Sequence, residues 1–353
     1  MPRIISFYPG PSRVYDEIPV YVKEAHEKGI LSLNHRSPEF EAIMEKTVRL
    51  LKKKMAIPDS YSVVFTSSAT ECWEIIAQSL IREKSLHIFN GAFGEKWFEY
   101  TKKLKPGIHN HRFDKNENLL PDDVKDSHAE VIGITHNETS NGTFVDTSII
   151  GKIKKQNPGS IVAVDATSSM AGVYLDFTAA DIWFASVQKC FGLPAGLGIM
   201  LCSPNAVEKM KEVNESRHYN SFLFMHSMMQ KWQTSFTPNV LGIYLLMRTL
   251  KKGSSIRETD IKTNKRFKQW IATIDEMRRF RRYIQNPEVM SKTVITLTGR
   301  EDDITSVKLI CRQNGLLLGE GYGQLNKTTF RIANFPAIKK SEIKKIRKLL
   351  RNF

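Results

Sequence analysis

The chain has 353 residues, of which 41% are hydrophobic and 25% are charged, an ordinary globular composition that excludes wholesale disorder. Lysine and arginine outnumber aspartate and glutamate by 52 to 37, and the net charge of +15 indicates a basic surface or anionic ligands. The longest apolar runs, 195–202 and 241–247, fall far short of the ~20 residues that span a bilayer. We therefore predict about two globular domains and no membrane-spanning segment.

The first 240 residues alternate short apolar runs with helical patterns. Six of these runs predict strands, at 61–66, 86–90, 130–135, 160–165, 181–186 and 196–202. After the first run, Trp73, Ile76, Ala77, Leu80 and Ile81 recur at the spacing of one helix face. Because strands that alternate with helices usually pair in parallel, the pattern predicts an α/β fold with a largely parallel sheet.

The pattern changes after about residue 240 and predicts a smaller α+β domain. Its expected helices span 240–252, 257–284, 303–314 and 341–350, and its expected strands span 292–298 and 328–333. We therefore divide the chain into three parts. These are an N-terminal segment near the active site, 1–15, a large α/β domain, 16–240, and a small domain, 241–353.

Polar motifs follow three of the predicted strands. Ser68 and Glu71 have capping-box spacing at the start of a helix, where free N–H groups form either a phosphate site or simply a well-capped helix end. Asp165 ends the fourth strand, and a carboxylate buried there needs a cation or a protonated nitrogen, unless it only caps a turn. Lys189 follows the fifth strand, and a desolvated lysine is a nucleophile able to form a Schiff base. The alternative is a loop lysine with a buried stem.

Together these motifs resemble the class V aminotransferases, which are pyridoxal-phosphate (PLP) enzymes of fold type I. The resemblance covers nearly the whole chain. It implies a large domain with a mixed, mostly parallel seven-stranded sheet, a smaller α+β C-terminal domain, and a homodimer with shared active sites. It also implies ping-pong transamination between amino acids and 2-oxo acids. Lys189 would form the Schiff base and move the substrate proton, and Asp165 would pair with the pyridine nitrogen.

The resemblance also implies the remaining site residues. The expected cofactor contacts are Ser68, Ala69 and Thr70 in the phosphate turn, Phe93 on the ring, Thr139 at the phenolic oxygen, Gln188 at the phosphate, and Thr237 reaching the phosphate of the partner subunit. Arg331 would bind the α-carboxylate of the substrate, as a bidentate guanidinium suits.

Two segments, 6–11 and 34–40, resemble the phosphoserine aminotransferases of serine biosynthesis, which implies phosphoserine and 2-oxoglutarate as substrates. In that subfamily the second segment reaches the substrate phosphate in the neighbouring site, so His35 and Arg36 are the expected contacts. The subfamily usually has an arginine where this chain has Thr70, and a His-Arg pair where this chain has 323–327. Lys327 is a candidate to replace part of that loss. An alanine–glyoxylate or serine–pyruvate aminotransferase is the alternative.

The remaining composition excludes several other classes of site. The basic clusters, 52–54, 278–282 and 339–351, lack the interleaved aromatic residues of a base-stacking surface. We therefore predict no nucleic-acid partner, and a nucleic-acid-binding protein on a decayed enzyme scaffold is a distant alternative. The four cysteines form no CxxC pair, and the histidines show no metal-ligand spacing. We predict no metal and a cytoplasmic location.

Overall fold

The structure, a computed structural model, describes residues 4–125 and 127–353. Its strands are β1 (Ile5–Phe7), β2 (Ser62–Thr66), β3 (Lys84–Phe89), β4 (Gly107–Arg112), β5 (Val131–Thr135), β6 (Asn137–Glu138), β7 (Thr143–Phe144), β8 (Ile161–Asp165), β9 (Ile182–Ser186), β10 (Gly198–Cys202), β11 (Arg281–Arg282), β12 (Val294–Thr298), β13 (Leu316–Glu320) and β14 (Thr329–Ala333). Its helices are α1 (Ile18–Glu27), α2 (Pro38–Met55), α3 (Ala69–Leu80), α4 (Ala92–Leu104), α5 (Thr147–Gln156), α6 (Pro204–Val213), α7 (Phe222–Met229), α8 (Val240–Lys252), α9 (Ile256–Asp275), α10 (Glu301–Gln313) and α11 (Lys340–Leu350). No helix among these residues has the length and apolar character needed to cross a membrane.

The large sheet has seven strands in the order β2-β10-β9-β8-β5-β3-β4. Strand β10 alone runs in the opposite direction to the other six, which confirms the predicted α/β fold with a mixed, mostly parallel sheet. All six strands predicted before residue 240 belong to this sheet. The unpredicted seventh, β4, is an edge strand with the sequence GIHNHR, in which Ile108 alone is fully buried. An edge strand of this kind lacks the apolar pattern on which the prediction depends.

The parallel pairing gathers the polar motifs at one edge of the large sheet. Thr135 at the end of β5 lies opposite Asp165 at the end of β8, and Asp165 lies opposite Phe184 in the middle of β9. The chain leaves β9 at Ser186 and reaches Lys189 three residues later. Ligand crevices of open α/β sheets form at such carboxyl ends.

The second sheet has the order β1-β13-β14-β12-β11. Its strands β12 and β14 confirm the two predicted in the C-terminal region. The helix predicted over 257–284 was too long, because α9 ends at Asp275 and β11 follows it. Met277, Phe280 and Ile284 are buried at helical spacing after the helix has ended, so the periodicity alone misplaced its end.

The N-terminus contributes to this second sheet. Ile5–Phe7 pairs in parallel with Leu316–Leu318, so β1 closes one edge beside a strand more than 300 residues later in the chain. Helix α8, which follows residue 239, packs against α1 and α2. The division at 15 and 240 stays a prediction.

Candidate active site

A cavity of about 530 Å³ opens between the carboxyl edge of the large sheet and the second sheet. Its charged lining residues are Asp165, Lys189, Glu320 and Arg331. Ala69, Thr70, Phe93, Thr139 and Gln188 also line it, so the structure brings together most of the site residues predicted from the sequence.

Helix α3 begins at the floor of this cavity. Ser68 is its N-cap and accepts a hydrogen bond from the Glu71 amide at 3.2 Å. The Glu71 side chain accepts from the Ser67 amide at 2.7 Å, one residue before the position expected of a strict capping box. Ala69 and Thr70 face the cavity, whereas Ser68 serves as the cap. The result is a helix N-terminus directed at the cavity, with the positive end of its dipole available to an anion.

The lysine that the sequence singled out is almost fully buried, with 7% of its surface exposed. Its Nζ donates to Thr139 Oγ1 at 2.8 Å and to Ser168 Oγ at 2.9 Å, and it lies 5.2 Å from the ring centroid of Phe93. Burial lowers the pKa of Lys189 to about 8, although the carboxylates of Asp165 and Glu138 oppose the shift. A lysine held in this way has a larger neutral fraction near neutral pH than an exposed lysine has.

Asp165 faces the same cavity from the end of β8. It accepts from the Thr167 amide at 2.9 Å through Oδ1. Burial raises the pKa of its carboxyl group, and the hydrogen bonds from Thr167 and the charge of Lys189 oppose that shift. A buried carboxylate of this kind is stabilised by a cation or a protonated nitrogen placed in the cavity.

Glu138 was not predicted as a site residue, but it positions two predicted site residues, Phe93 and Thr139. Its buried carboxylate accepts from the amides of Phe93 and Gly94, both at 3.1 Å, and from the Ser140 amide at 2.9 Å. It therefore caps α4 and holds Phe93 and the neighbouring Thr139 in place. An added Cβ on Gly91 would lie 2.4 Å from the Glu138 side chain, so this close approach requires glycine.

Arg331 reaches the cavity from β14. Its Nε donates to the Glu320 carbonyl at 2.7 Å and its Nη1 to the Thr139 carbonyl at 2.8 Å. Tyr322 lies beside it, with 5.6 Å between the guanidinium carbon and the ring centroid. These contacts orient the guanidinium, and only 4% of the residue is exposed.

Several buried polar atoms at the cavity have no hydrogen-bond partner within the part of the chain that the structure describes. They are Thr135 Oγ1, Asn137 Nδ2 and Gln188 Oε1, and all three residues line the cavity. Because buried polar groups are normally paired, this lining fits a polar ligand with several donors and acceptors. A phosphorylated pyridine ring with oxygen substituents fits it, since Asp165 and the α3 N-terminus also face the cavity.

Three predicted residues lie elsewhere. His35, Arg36 and Thr237 are not among the described residues that line the cavity. Arg36 donates to Gln233 at 3.0 Å and is exposed. Lys327 pairs with Glu301 at 3.1 Å and its side chain is 75% exposed, so it does not fill the gap in the cavity's positive charge. Sequence reasoning missed Ser168 and Tyr322 as site residues. Ser168 lies three residues after Asp165 in the same strand-end motif, whereas Tyr322 stands in no motif.

Comparisons with known proteins agree with this geometry. A family model described as aminotransferase class-V matches residues 9–325. A phosphoserine aminotransferase from Rhodococcus opacus (strain B4) is 29% identical over 354 residues, covering 96% of this chain and 92% of that protein. The crystal structure of a phosphoserine aminotransferase from Cytophaga hutchinsonii is 30% identical, with a TM-score of 0.94 over 100% of this chain and 99% of that one. An alanine–glyoxylate aminotransferase from Nostoc sp., 17% identical with a TM-score of 0.82 over 100% and 95% of the two chains, shares the fold.

Proposed function

The chain belongs to the class V aminotransferase family and is a PLP-dependent aminotransferase, and on that premise we propose that it exchanges amino groups between phosphoserine and 2-oxoglutarate. The observation that carries the reaction type is the buried Lys189, with a lowered pKa, among unpaired polar atoms. The substrate rests on the near full-length similarity to phosphoserine aminotransferases and on the 34–40 segment.

The cavity residues fit the cofactor one by one. Ala69, Thr70 and Gln188 would hold the phosphate at the start of α3, with Ser68 capping that helix. Asp165 would pair with the ring nitrogen, Phe93 would lie against the ring, and Thr139 would donate to the phenolic oxygen. When bound, PLP supplies a carbonyl carbon that condenses with amines and a ring that accepts electrons from the substrate α-carbon.

Lys189 is the residue that would hold the cofactor and later carry the proton. Once displaced by an amino substrate, its neutral Nζ would accept the proton from the substrate α-carbon and would then donate it to the carbon that is the carbonyl carbon in free PLP. Ser168 and Thr139 both accept hydrogen bonds from Nζ. Their hydroxyls leave the nitrogen lone pair free to point into the cavity.

Arg331 would bind the α-carboxylate that all amino-acid substrates share. Arg331→Lys is expected to lower the half-reaction rate with every amino donor by a similar factor, about 10- to 100-fold. A single ammonium cannot keep two carbonyl contacts and also form a bidentate pair with a carboxylate. The measurement is the half-reaction rate with phosphoserine, glutamate and alanine, followed by the absorbance of the cofactor.

Arg266→Lys is the matched control for this variant. Arg266 is partly buried and also donates to two backbone carbonyls, those of Phe335 and Ile338, but it lies outside the cavity. Its replacement should leave all three half-reactions close to the wild-type rates. A loss confined to one donor in Arg331→Lys would contradict the α-carboxylate role.

The proposal includes a homodimer in which each chain completes the other's site. His35, Arg36 and Thr237 lie away from the cavity of their own chain, as a contribution to a neighbouring site would need. His35 and Arg36 would then meet the substrate phosphate, and Thr237 the cofactor phosphate. A cytoplasmic location belongs to the same proposal, because the four cysteines are buried as free thiols, which suits a reducing compartment.

The alternative is an alanine–glyoxylate or serine–pyruvate aminotransferase. One observation favours it: Lys189 and Arg331 are the only cations among the described residues that line the cavity, and Glu320 adds a carboxylate to that lining. A buried phosphate dianion needs more positive charge than this chain's lining alone provides.

Turnover of phosphoserine and alanine distinguishes the two functions. We expect the wild-type protein to prefer phosphoserine, and Arg36→Ala to lower the ratio of kcat/KM for phosphoserine to that for alanine by about 10-fold or more, since a charged hydrogen bond is lost. Arg351→Ala serves as the control, because Arg351 pairs with Glu276 near the C-terminus. Equal kcat/KM values for both donors in the wild type would favour the alternative.

A further inference from the structure

The part of the cavity lined by residues 320–323 lacks the positive charge that a phosphorylated donor requires. Thr70 and the 323–327 segment place no cation on the described lining, and Glu320 adds a carboxylate that pairs with Lys308. Of the two residues that a partner subunit would contribute to the substrate phosphate, only Arg36 is a cation, because burial lowers the pKa of His35 and favours its neutral form. Full compensation of the phosphate therefore calls for a cation from this chain.

One lysine on α4, Lys96, lies at the rim of this part of the cavity, beside Tyr322. Lys96 Nζ donates to Tyr322 Oη at 2.6 Å, and Tyr322 lines the cavity. The same ammonium lies 5.3 Å from the ring centroid of Tyr322 and 5.9 Å from that of Phe93, which also lines the cavity. The Tyr322 phenol oxygen and the nearby Phe93 ring thus hold the charge at the rim.

The Lys96 ammonium has hydrogen-bond donors available for an anion. It forms no ion pair with a carboxylate of residues 4–125 or 127–353, and one hydrogen bond to Tyr322 leaves two of its three N–H donors free. Its neighbour on the helix, Glu95, pairs with Arg112 instead. The Tyr322 hydroxyl accepts from Lys96 and keeps its own hydrogen to donate. Ammonium and phenol together offer donors suited to phosphate oxygens.

We propose that Lys96, positioned by Tyr322, recognises the phosphate of the amino donor and so determines specificity for a phosphorylated substrate. This inference rests on the proposed function, because it assigns a residue to the distal end of that substrate. Lys96 places a cation at the cavity rim, whereas Thr70 and the 323–327 segment place none there. Lysine binds phosphate as a point charge, so a side chain anchored at one atom suits this role.

A purely structural role predicts a different outcome. The Lys96–Tyr322 bond joins α4 to the loop before β14, so it could serve only to hold the two sides of the cavity together. Loss of such a link would affect every donor alike, since the reacting atoms are common to all. Loss of a phosphate contact would lower kcat/KM for phosphoserine more than kcat/KM for donors without a phosphate.

The test compares donor specificity in four proteins: wild type, Lys96→Gln, Lys96→Arg and the control Lys102→Gln. Lys102 lies on the same helix, with its ammonium 5.7 Å from the Phe98 ring centroid, away from the cavity lining. The measured quantity is the ratio of kcat/KM for phosphoserine to that for alanine. A second readout is the inhibition constant of inorganic phosphate against phosphoserine.

In Lys96→Gln we expect the ratio to fall roughly 10- to 100-fold and the phosphate inhibition constant to rise, because one charged contact is lost. Lys96→Arg should restore most of the ratio, and Lys102→Gln should keep it. An unchanged ratio in Lys96→Gln, in a wild type that prefers phosphoserine, would overturn this inference alone. A wild type with no preference for phosphoserine would overturn the substrate proposal and this inference with it.

Discussion

Replacing Lys189 with alanine is expected to lower transamination by at least about 10⁴-fold, because one residue supplies both the covalent attachment and the proton carrier. The variant should still fold, since Lys189 makes its side-chain hydrogen bonds to two hydroxyls, Thr139 and Ser168, which can pair with each other. Borohydride reduction of the wild-type protein with PLP should attach the cofactor to the peptide that contains Lys189, as read by mass spectrometry.

The pH dependence of cofactor attachment follows from the environment of the same residue. Burial lowers the pKa of Lys189 to about 8, so the neutral, nucleophilic amine is a minor species below that pH and the major species above it. The rate at which cofactor-free protein captures PLP should therefore rise with pH and level off above about 8.

Lys292→Ala is the control for the Lys189 variant. Lys292 is a half-buried lysine that lies outside the cavity, near the ring of Phe144. Its variant should retain the yellow colour of bound cofactor and most of the activity. Labelling of another lysine, or substantial turnover by Lys189→Ala, would contradict the assignment.

The parallel sheet and its strand-end motifs were predictable because the signals are local. Strands buried on both faces leave continuous apolar runs, as in Val131–Thr135 and Ile182–Ser186, whose residues are all buried. Once the strands are parallel, Asp165 and Lys189 must meet at one edge. Their juxtaposition therefore follows from the pattern, without knowledge of the detailed packing.

The rest of the cavity depends on contacts between distant segments. Lys96 meets Tyr322 across 226 positions, and Arg331 meets Thr139 across 192. No periodicity in the chain encodes such pairs, so Tyr322 carried no signal, whereas Ser168 lies in the motif that follows Asp165. The edge strand Gly107–Arg112 was missed for a related reason, because its pairing with β3 depends on backbone hydrogen bonds rather than on an apolar sequence.

The position of Asp165 leads to the second large effect. Asp165→Asn is expected to lower half-reaction rates by roughly 10²-fold or more, equivalent to about 2.7 kcal/mol of barrier, because the ring nitrogen loses the carboxylate that keeps it protonated. The fold should persist, since an asparagine Oδ1 can still accept from the Thr167 amide. The charge of Asp165 also raises the pKa of Lys189. Its removal should therefore move the pH midpoint of PLP capture below about 8.

Asp181→Asn is the matched control, because Asp181 is also a fully buried carboxylate at the sheet but pairs with Lys154 at 3.0 Å, outside the cavity. It should lose thermal stability, since Lys154 loses its charged partner, yet keep its half-reaction rates at temperatures where it is folded. The Asp165 variant thus reports on catalysis, and the Asp181 variant reports on the stability of the fold. Near-normal half-reaction rates in Asp165→Asn, or an unmoved pH midpoint for PLP capture, would refute the role of Asp165 at the ring nitrogen.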